Sequence, residues 1–305
     1  MAGSLGWRHD VIFTSGATEA IQIAASRSKL ARRILGSTEH DAVLAAMGPE
    51  AQAAPVGTGG ILNLEGLKEM LAAGPALVAV QHVNNETGVI QPLDAIYESV
   101  KASGSLLLAD CAQSAGKLQL PDADFIAISG HKFGAPSGIG ALLVKDVGTL
   151  VASGGQERGY RRGTENLAGA AAMAAALRSE TFADALPTKA ELRQQLEERL
   201  SAEGAEVIAG NSDRSPFIGA YAMPGIASAS QLVQFDLAGI AISAGSACSS
   251  GSMKPSRVLE AMKVPAEIAG SAIRVSFGPG TSTDDIDRFV GEWRAIKSRA
   301  SKAVA

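Results

Sequence analysis

Residues 105–144 read SLLLADCAQSAGKLQLPDADFIAISGHKFGAPSGIGALLV, in which three apolar runs stand out: SLLLAD at 105–110, FIAIS at 125–129 and GALLV at 140–144. Each run is strand-length and is bounded by Gly, Pro, Asp or Ser, which marks strands buried on both faces of a sheet. The same texture recurs upstream in VIF at 11–13 and ALVAV at 76–80, and helical patterns at 65–73 and 92–103 separate the runs. Alternation of this kind predicts an α/β fold: a mostly parallel central sheet with helices on both faces. Ligands of such sheets gather at the carboxyl ends of the strands. After Leu186-Pro187 the texture changes to a charged helix, KAELRQQLEERL, with Leu192, Leu196 and Leu200 on one face. A large domain is therefore expected over 1–186 and a smaller C-terminal α/β domain over 187–305. In the latter the sequence predicts strands at 239–243 and 273–277, a helix from Pro255 to Met262, and a closing helix from Ser282-Thr283.

The chain has 305 residues, 46% hydrophobic, 19% charged and 4% aromatic, enough apolar material for a sizeable core and too little charge for disorder. With 27 basic and 31 acidic residues the formal charge is −4, so no broad cationic field exists to track nucleic acid or an anionic membrane. The longest apolar stretch, Leu167 to Leu177, is about half a membrane span, and MAGSLGWRHD lacks a signal-peptide core. The two cysteines, Cys111 and Cys248, form no CxxC or Cys/His pattern, which argues against a disulfide framework or structural zinc and fits a reducing, cytoplasmic setting.

Four segments could carry chemistry. Thr14-Ser15-Gly16-Ala17-Thr18-Glu19 leaves one strand and opens a helix expected to run to about Lys29; its amides suit a phosphate, or it is an ordinary cap with Ser15 or Thr18 as the capping hydroxyl. Asp110 ends an apolar strand, where a carboxylate requires a proton or cation, or caps a turn; Cys111 beside it reads as a small buried hydrophobe. Ser129-Gly130-His131-Lys132 follows the next strand, and its lysine is either a Schiff-base nucleophile or a surface residue on a hairpin end. In Ser243-Ala244-Gly245-Ser246-Ala247-Cys248-Ser249-Ser250-Gly251 a lone cysteine sits among small residues, a setting that suits a nucleophilic thiolate although most lone cysteines are inert. Two polar stretches, 83–88 and 154–166, add loops near strand ends.

Taken together, FTSGATEA (13–20), EHDAV (39–43), VNNETGVIQP (83–92), LADCAQSAGK (108–117), ISGHKFGAPSGIGAL (128–142), SGGQERGYRRGTEN (153–166), SAGSACSSGS (243–252) and AIRVSFG (272–278) resemble the cysteine desulfurases. These are pyridoxal 5′-phosphate enzymes of the class V aminotransferase group, fold type I. The resemblance implies that Lys132 is the Schiff-base lysine and Cα proton shuttle, and that Asp110 pairs with the pyridine nitrogen. It places Gln113 and Asn85 at the phenolic oxygen and His40 against the ring, assisting proton transfer. Ala17, Thr18, Ser129 and His131 would hold the phosphate, with Thr164 reaching in from the partner of a homodimer. Arg274 would take the substrate carboxylate, with Asn85 also on the substrate. Cys248 would accept sulfur from L-cysteine as a persulfide, releasing alanine and feeding iron-sulfur cluster assembly or tRNA thiolation through a sulfur-acceptor or scaffold protein.

Family members carry a longer segment ahead of the FTSGATEA region than this chain does, so reduced stability or turnover is expected of it. The rivals are a selenocysteine lyase or another class V aminotransferase-like enzyme, from which Cys248 discriminates, and a weakly active scaffold in sulfur transfer. A nicotinamide enzyme fails because no GxGxxG follows the first strand.

Overall fold

The computed structural model describes residues 2–244 and 255–304. The chain divides into two compact units, one made of Met1–Val56, Ile61–Asn84 and Gln91–Ala183, the other of Gly57–Gly60, Asn85–Ile90 and Asp184–Ala305. Two short segments from the first 186 residues, one of them containing Asn85, thus cluster with the C-terminal part of the chain.

The first unit runs β1 (Asp10–Thr14), α1 (Ala17–Arg27), β2 (Arg33–Gly36), α2 (Asp41–Met47), β3 (Gln52–Ala54), α3 (Leu64–Leu71), β4 (Leu77–Gln81), α4 (Leu93–Ala102), β5 (Leu106–Asp110), β6 (Phe125–Ser129), β7 (Gly140–Val144) and α5 (Leu167–Arg178). A short helix α6 (Thr181–Asp184) follows. The strands form one seven-stranded sheet in the order β1-β7-β6-β5-β4-β2-β3. From β6 to β3 every pairing is parallel, while β7 runs antiparallel to both β6 and β1. The five apolar runs of the sequence are all strands here; β2 and β3 carry too few β-branched residues to announce themselves.

Strand alternation sorts the side chains cleanly between two apolar layers. Val78, Val80, Leu107, Ala109, Ile126 and Ile128 join the layer that contains Leu67 of α3, Ile96 of α4 and Met173 of α5. Leu77, Ala79, Leu108, Phe125 and Ala127 join the layer that contains Ile21 of α1 and Val43 of α2. Because the period is two, the polar residues that end β4, β5 and β6, namely Gln81, Asp110 and Ser129, fall on the α1/α2 side. Register brings these ends to a common edge: Gln81 pairs with Asp110, and Gly140 pairs with both Ser129 and Thr14.

The second unit runs α7 (Leu186–Ala202), β8 (Glu206–Val207), β9 (Ile218–Ala222), α8 (Ser228–Leu237), β10 (Ser243–Ala244), α9 (Arg257–Ala261), α10 (Ala266–Gly270), β11 (Ala272–Ser276) and α11 (Thr283–Val304). Its sheet, β10-β11-β9-β8, is antiparallel throughout. Leu192, Leu196 and Leu200 of α7 are buried, as the four-residue spacing requires. Tyr221, Phe235 and Trp293 are fully buried, and Phe235 stacks on Phe289 with centroids 4.8 Å apart.

The strand expected at 239–243 is corrected: among the described residues only Ser243–Ala244 pairs as a strand, because α8 ends in a left-handed Gly239 and the Ile240 amide folds back onto the Phe235 carbonyl. Among the described residues no helix is long and apolar enough to cross a membrane.

Candidate active site

At the carboxyl edge of the seven-stranded sheet, Asp110 is 8% exposed, and its Oδ1 accepts a hydrogen bond from the Ala112 amide at 2.9 Å. The turn-capping reading of this residue is therefore met, yet it does not satisfy the carboxylate. Burial pushes the carboxyl above its ordinary range, while the Ala112 amide and then His40 and Lys132 pull in the opposite direction without prevailing. A buried carboxylate still short of compensation suits a cationic ligand group.

His40 is the N-cap of α2, with Nδ1 accepting from the Ala42 amide at 3.1 Å. That bond occupies the Nδ1 lone pair, which assigns the neutral ring's proton to Nε2. The preceding turn is fastened to the end of β4. Gln81 Nε2 donates to the Thr38 carbonyl at 2.6 Å and to Thr38 Oγ1 at 3.0 Å, and Asn84 Nδ2 donates to the same carbonyl at 3.2 Å. Glu39, 1% exposed, accepts the Gln81 amide on Oε1 at 2.9 Å. Burial, opposed by the Gln81 amide and reinforced by the charge of Asp110, raises the Glu39 carboxyl well above its usual range. Sequence reading missed Thr38, Glu39, Gln81 and Asn84 as supports of His40; a glutamine closing the run ALVAVQ was the available signal.

The turn before α1 carries the second half of the arrangement. Gly16 is the N-cap of α1 without any side-chain cap, so the capping hydroxyl expected of Ser15 or Thr18 is absent. Instead Glu19 reaches back and accepts the Ser15 amide at 2.5 Å. With no side-chain cap on α1, the amides of Ala17 and Thr18 at its start are available to a ligand. Gly140 enters the same place: a Cβ there would lie 2.6 Å from Gly16 Cα and 2.5 Å from the Ile128 carbonyl oxygen, so only glycine lets β7 approach the helix start this closely. Ser129 Oγ lies 3.0 Å from His131 Nδ1. Lys132 is half-buried in the 3-10 turn Gly130–Phe133 that leaves β6. Burial lowers the pKa of His131, and the charges of Lys132 and Lys117 lower it further.

Lys117, from the turn after β5, is 7% exposed; burial and then the charge of Lys132 push its ammonium down to about 8, and its Nζ lies 5.1 Å from the centroid of the Phe182 ring. Gln113 is half-buried in that same turn, and Thr164 is exposed beyond β7. Helix-start amides, a hydroxyl, an imidazole and an amine make a donor set for a phosphate and an aldehyde, and Asp110 supplies the counter-charge for a ring nitrogen. On this chemistry the residues fit pyridoxal 5′-phosphate.

In the second unit, Arg274 lies on β11 opposite Ser243, and its guanidinium donates to the Asn85 carbonyl at 3.0 Å and to Ser243 Oγ at 2.9 Å. Asn85 and Arg274 are thus brought together although 189 positions separate them. Cys248 lies outside the described residues. Cys111 is fully buried and its thiol is pushed strongly up, chiefly by burial, so it is inert as a nucleophile. Among the described residues no cluster could hold a metal ion.

The aminotransferase class V family matches residues 5–289. A cysteine desulfurase of Cereibacter sphaeroides is 35% identical over 303 residues, covering 92% of this chain and 78% of the relative. A protein named cysteine desulfurase IscS from Anaeromyxobacter sp. is 35% identical over 311 residues, with 92% and 75% covered. Among solved structures, the NifS-like protein of Rickettsia africae superposes with a TM-score of 0.86 at 27% identity, covering 97% of this chain and 85% of that one. DndA from Streptomyces lividans gives 0.75 at 31% identity, with 92% and 86% covered.

Proposed function

Since this chain belongs to the class V aminotransferase family, we propose that it is a pyridoxal 5′-phosphate-dependent cysteine desulfurase, converting L-cysteine to L-alanine and an enzyme-bound persulfide. The observation that carries the reading is the carboxyl of Asp110, buried at the end of β5 with one backbone amide on its Oδ1 and with Lys132 and His40 within electrostatic reach. Relatives named cysteine desulfurase at 35% identity supply the substrate.

When bound, the cofactor supplies an electron sink for the pair released at the substrate Cα. Lys132 would hold its aldehyde through Nζ and carry the Cα proton on that same atom. Asp110 would supply the counter-charge for the ring nitrogen. His40 would face the ring, and because its Nδ1 accepts the Ala42 amide, any proton it exchanges would pass through Nε2. Gln113 and Asn85 would serve the phenolic oxygen. Ala17, Thr18, Ser129 and His131 would hold the phosphate, and Thr164 would complete that site in the partner of a homodimer; its exposure, and the 80% exposure of Leu167 nearby, support a second copy there. Arg274 orients the substrate carboxylate with its two-pronged donor. The Cys248 thiolate attacks the substrate sulfur: an S–S bond forms, the C–S bond breaks, and the electron pair leaves with the three-carbon product, which takes up protons to become alanine. A sulfur-acceptor or iron-sulfur scaffold protein then collects the persulfide sulfur, in a reducing, cytoplasmic compartment suited to a free thiol.

The test is paired measurement of alanine and sulfide from L-cysteine. Lys132→Ala is expected to abolish cofactor colour and turnover, whereas Cys248→Ser keeps the colour and stops sulfide release. Undiminished sulfide release by Cys248→Ser would overturn the persulfide role.

A further inference from the structure

The segment 153–164, which presents Thr164, builds its shape from internal bonds. The amides of Ser153 and Gly154 both donate to the Gly159 carbonyl, and the Gly163 amide donates to Gln156 Oε1. Glu157 and Arg158 sit at φ 49° and 55°, a left-handed pair that non-glycine residues hold only when their surroundings enforce it. Two side chains fasten this segment to the rest of the unit. Arg158 pairs with Asp10 at the start of β1, and Arg161 grips Glu19.

The last of these does more than anchor. Arg161 Nε donates to Glu19 Oε1 at 2.9 Å and Nη2 to Oε2 at 3.5 Å, while Nη1 donates to the carbonyls of Gly163 at 3.0 Å and Thr164 at 3.5 Å. Glu19 Oε2 in turn accepts the Ser15 amide. One continuous path of charge-assisted bonds therefore joins the turn that opens α1 to the backbone of Thr164. The pair is largely shielded, with side chains 17% and 29% exposed, so solvent does not dissipate it as it does a surface ion pair.

We propose that Glu19 and Arg161 form a positioning pair that acts in trans: each protomer uses it to hold Thr164 in place for its partner's cofactor phosphate, from the same turn that frames its own. This rests on the reading of Thr164 given above. The pair touches no reacting atom, so its loss acts on retention of the cofactor ahead of the chemistry.

Mixed dimers separate trans from cis effects. In a dimer of the unaltered chain with a Lys132→Ala/Arg161→Gln chain, only the unaltered protomer retains the cofactor, and its Thr164 comes from the altered one. Cofactor release from this dimer, followed by absorbance during dilution, is expected to be about tenfold faster than from a dimer whose second chain carries Lys132→Ala alone, a loss equivalent to one charge-assisted hydrogen bond. Arg161→Lys in place of Arg161→Gln on the second chain, which keeps the positive charge for Glu19 and a donor for the Thr164 carbonyl, is expected to recover part of the difference, which a general loss of folding would not allow. Unchanged release from the first dimer, or faster release only when Arg161→Gln lies in the chain that holds the cofactor, overturns the proposal. Thr164→Ala on the second chain is the control: if it leaves release unchanged, the reading of Thr164 fails, and the proposal with it.

Discussion

Asp110 is an acid whose protein surroundings favour its protonated form, and this has a thermodynamic sign. A carboxyl raised in the folded state binds its proton more tightly there than in the unfolded chain, so cofactor-free protein loses stability as pH rises from the ordinary value of 3.8 through the raised one. Asp110→Asn should therefore raise the melting temperature of the cofactor-free protein at pH 7, by about 2–4 °C for each kcal/mol recovered, while abolishing the gain that the cofactor gives the native chain. A cofactor-free Asp110→Asn protein that melts lower would show that Asp110 is already compensated by the protein itself. Lys117 gives the opposite window. Its ammonium, lowered to about 8 from 10.5, leaves the folded chain short of a proton between those values, so stability should climb as pH rises from 8 to 10.5. Replacing it by Met should flatten that climb in urea titrations at fixed pH steps. Asp110 and Lys132 could be singled out as candidates in the sequence because Asp110 closes one apolar run and Lys132 follows another by three residues, while their roles came from the resemblance. Thr38, Glu39, Gln81 and Asn84 were not, because they meet across 42 to 46 positions of chain and nothing local marks them.

The elements show the same division. Strands β4 to β7 were readable because burial on both faces demands uninterrupted aliphatic runs, and α7 because its leucines step by four. Strand β9, IGAYA, is diluted by glycine and alanine, and the run at 239–242 has apolar content without an extended backbone, since Gly239 closes α8 by turning left-handed. Two element ends make predictions. Gly140→Ala places a methyl against the backbone of Gly16 and Ile128, which cannot give way as a flexible side chain would; a destabilisation of about 1–3 kcal/mol is expected, with weaker cofactor binding in an absorbance titration. Asn166 caps α5 by accepting the Gly169 amide at 2.9 Å, so Asn166→Ala should cost about 1 kcal/mol in urea unfolding.

At the scale of the molecule, the two tryptophans divide between the two units: Trp7 is buried in the first and Trp293 in the second. Most residues assigned to the cofactor belong to the first unit, so cofactor at about 100 times its dissociation constant should add about 2.7 kcal/mol there, moving the urea midpoint by roughly 1 M. Trp7→Phe and Trp293→Phe variants make each midpoint visible separately; the Trp293 signal of the first variant should shift less than the Trp7 signal of the second, and an equal shift would mean that the units unfold as one. The alternation that sorts the first unit's strands between two apolar layers also sets a reading frame. An extra residue inside β5 would carry Asp110 to the α3/α4/α5 side, setting a carboxylate in an apolar layer and an aliphatic at the rim. Insertions are thus tolerated in the turn that precedes β5 and barred from the strand itself, a length constraint that chemistry at the rim and packing behind it impose together.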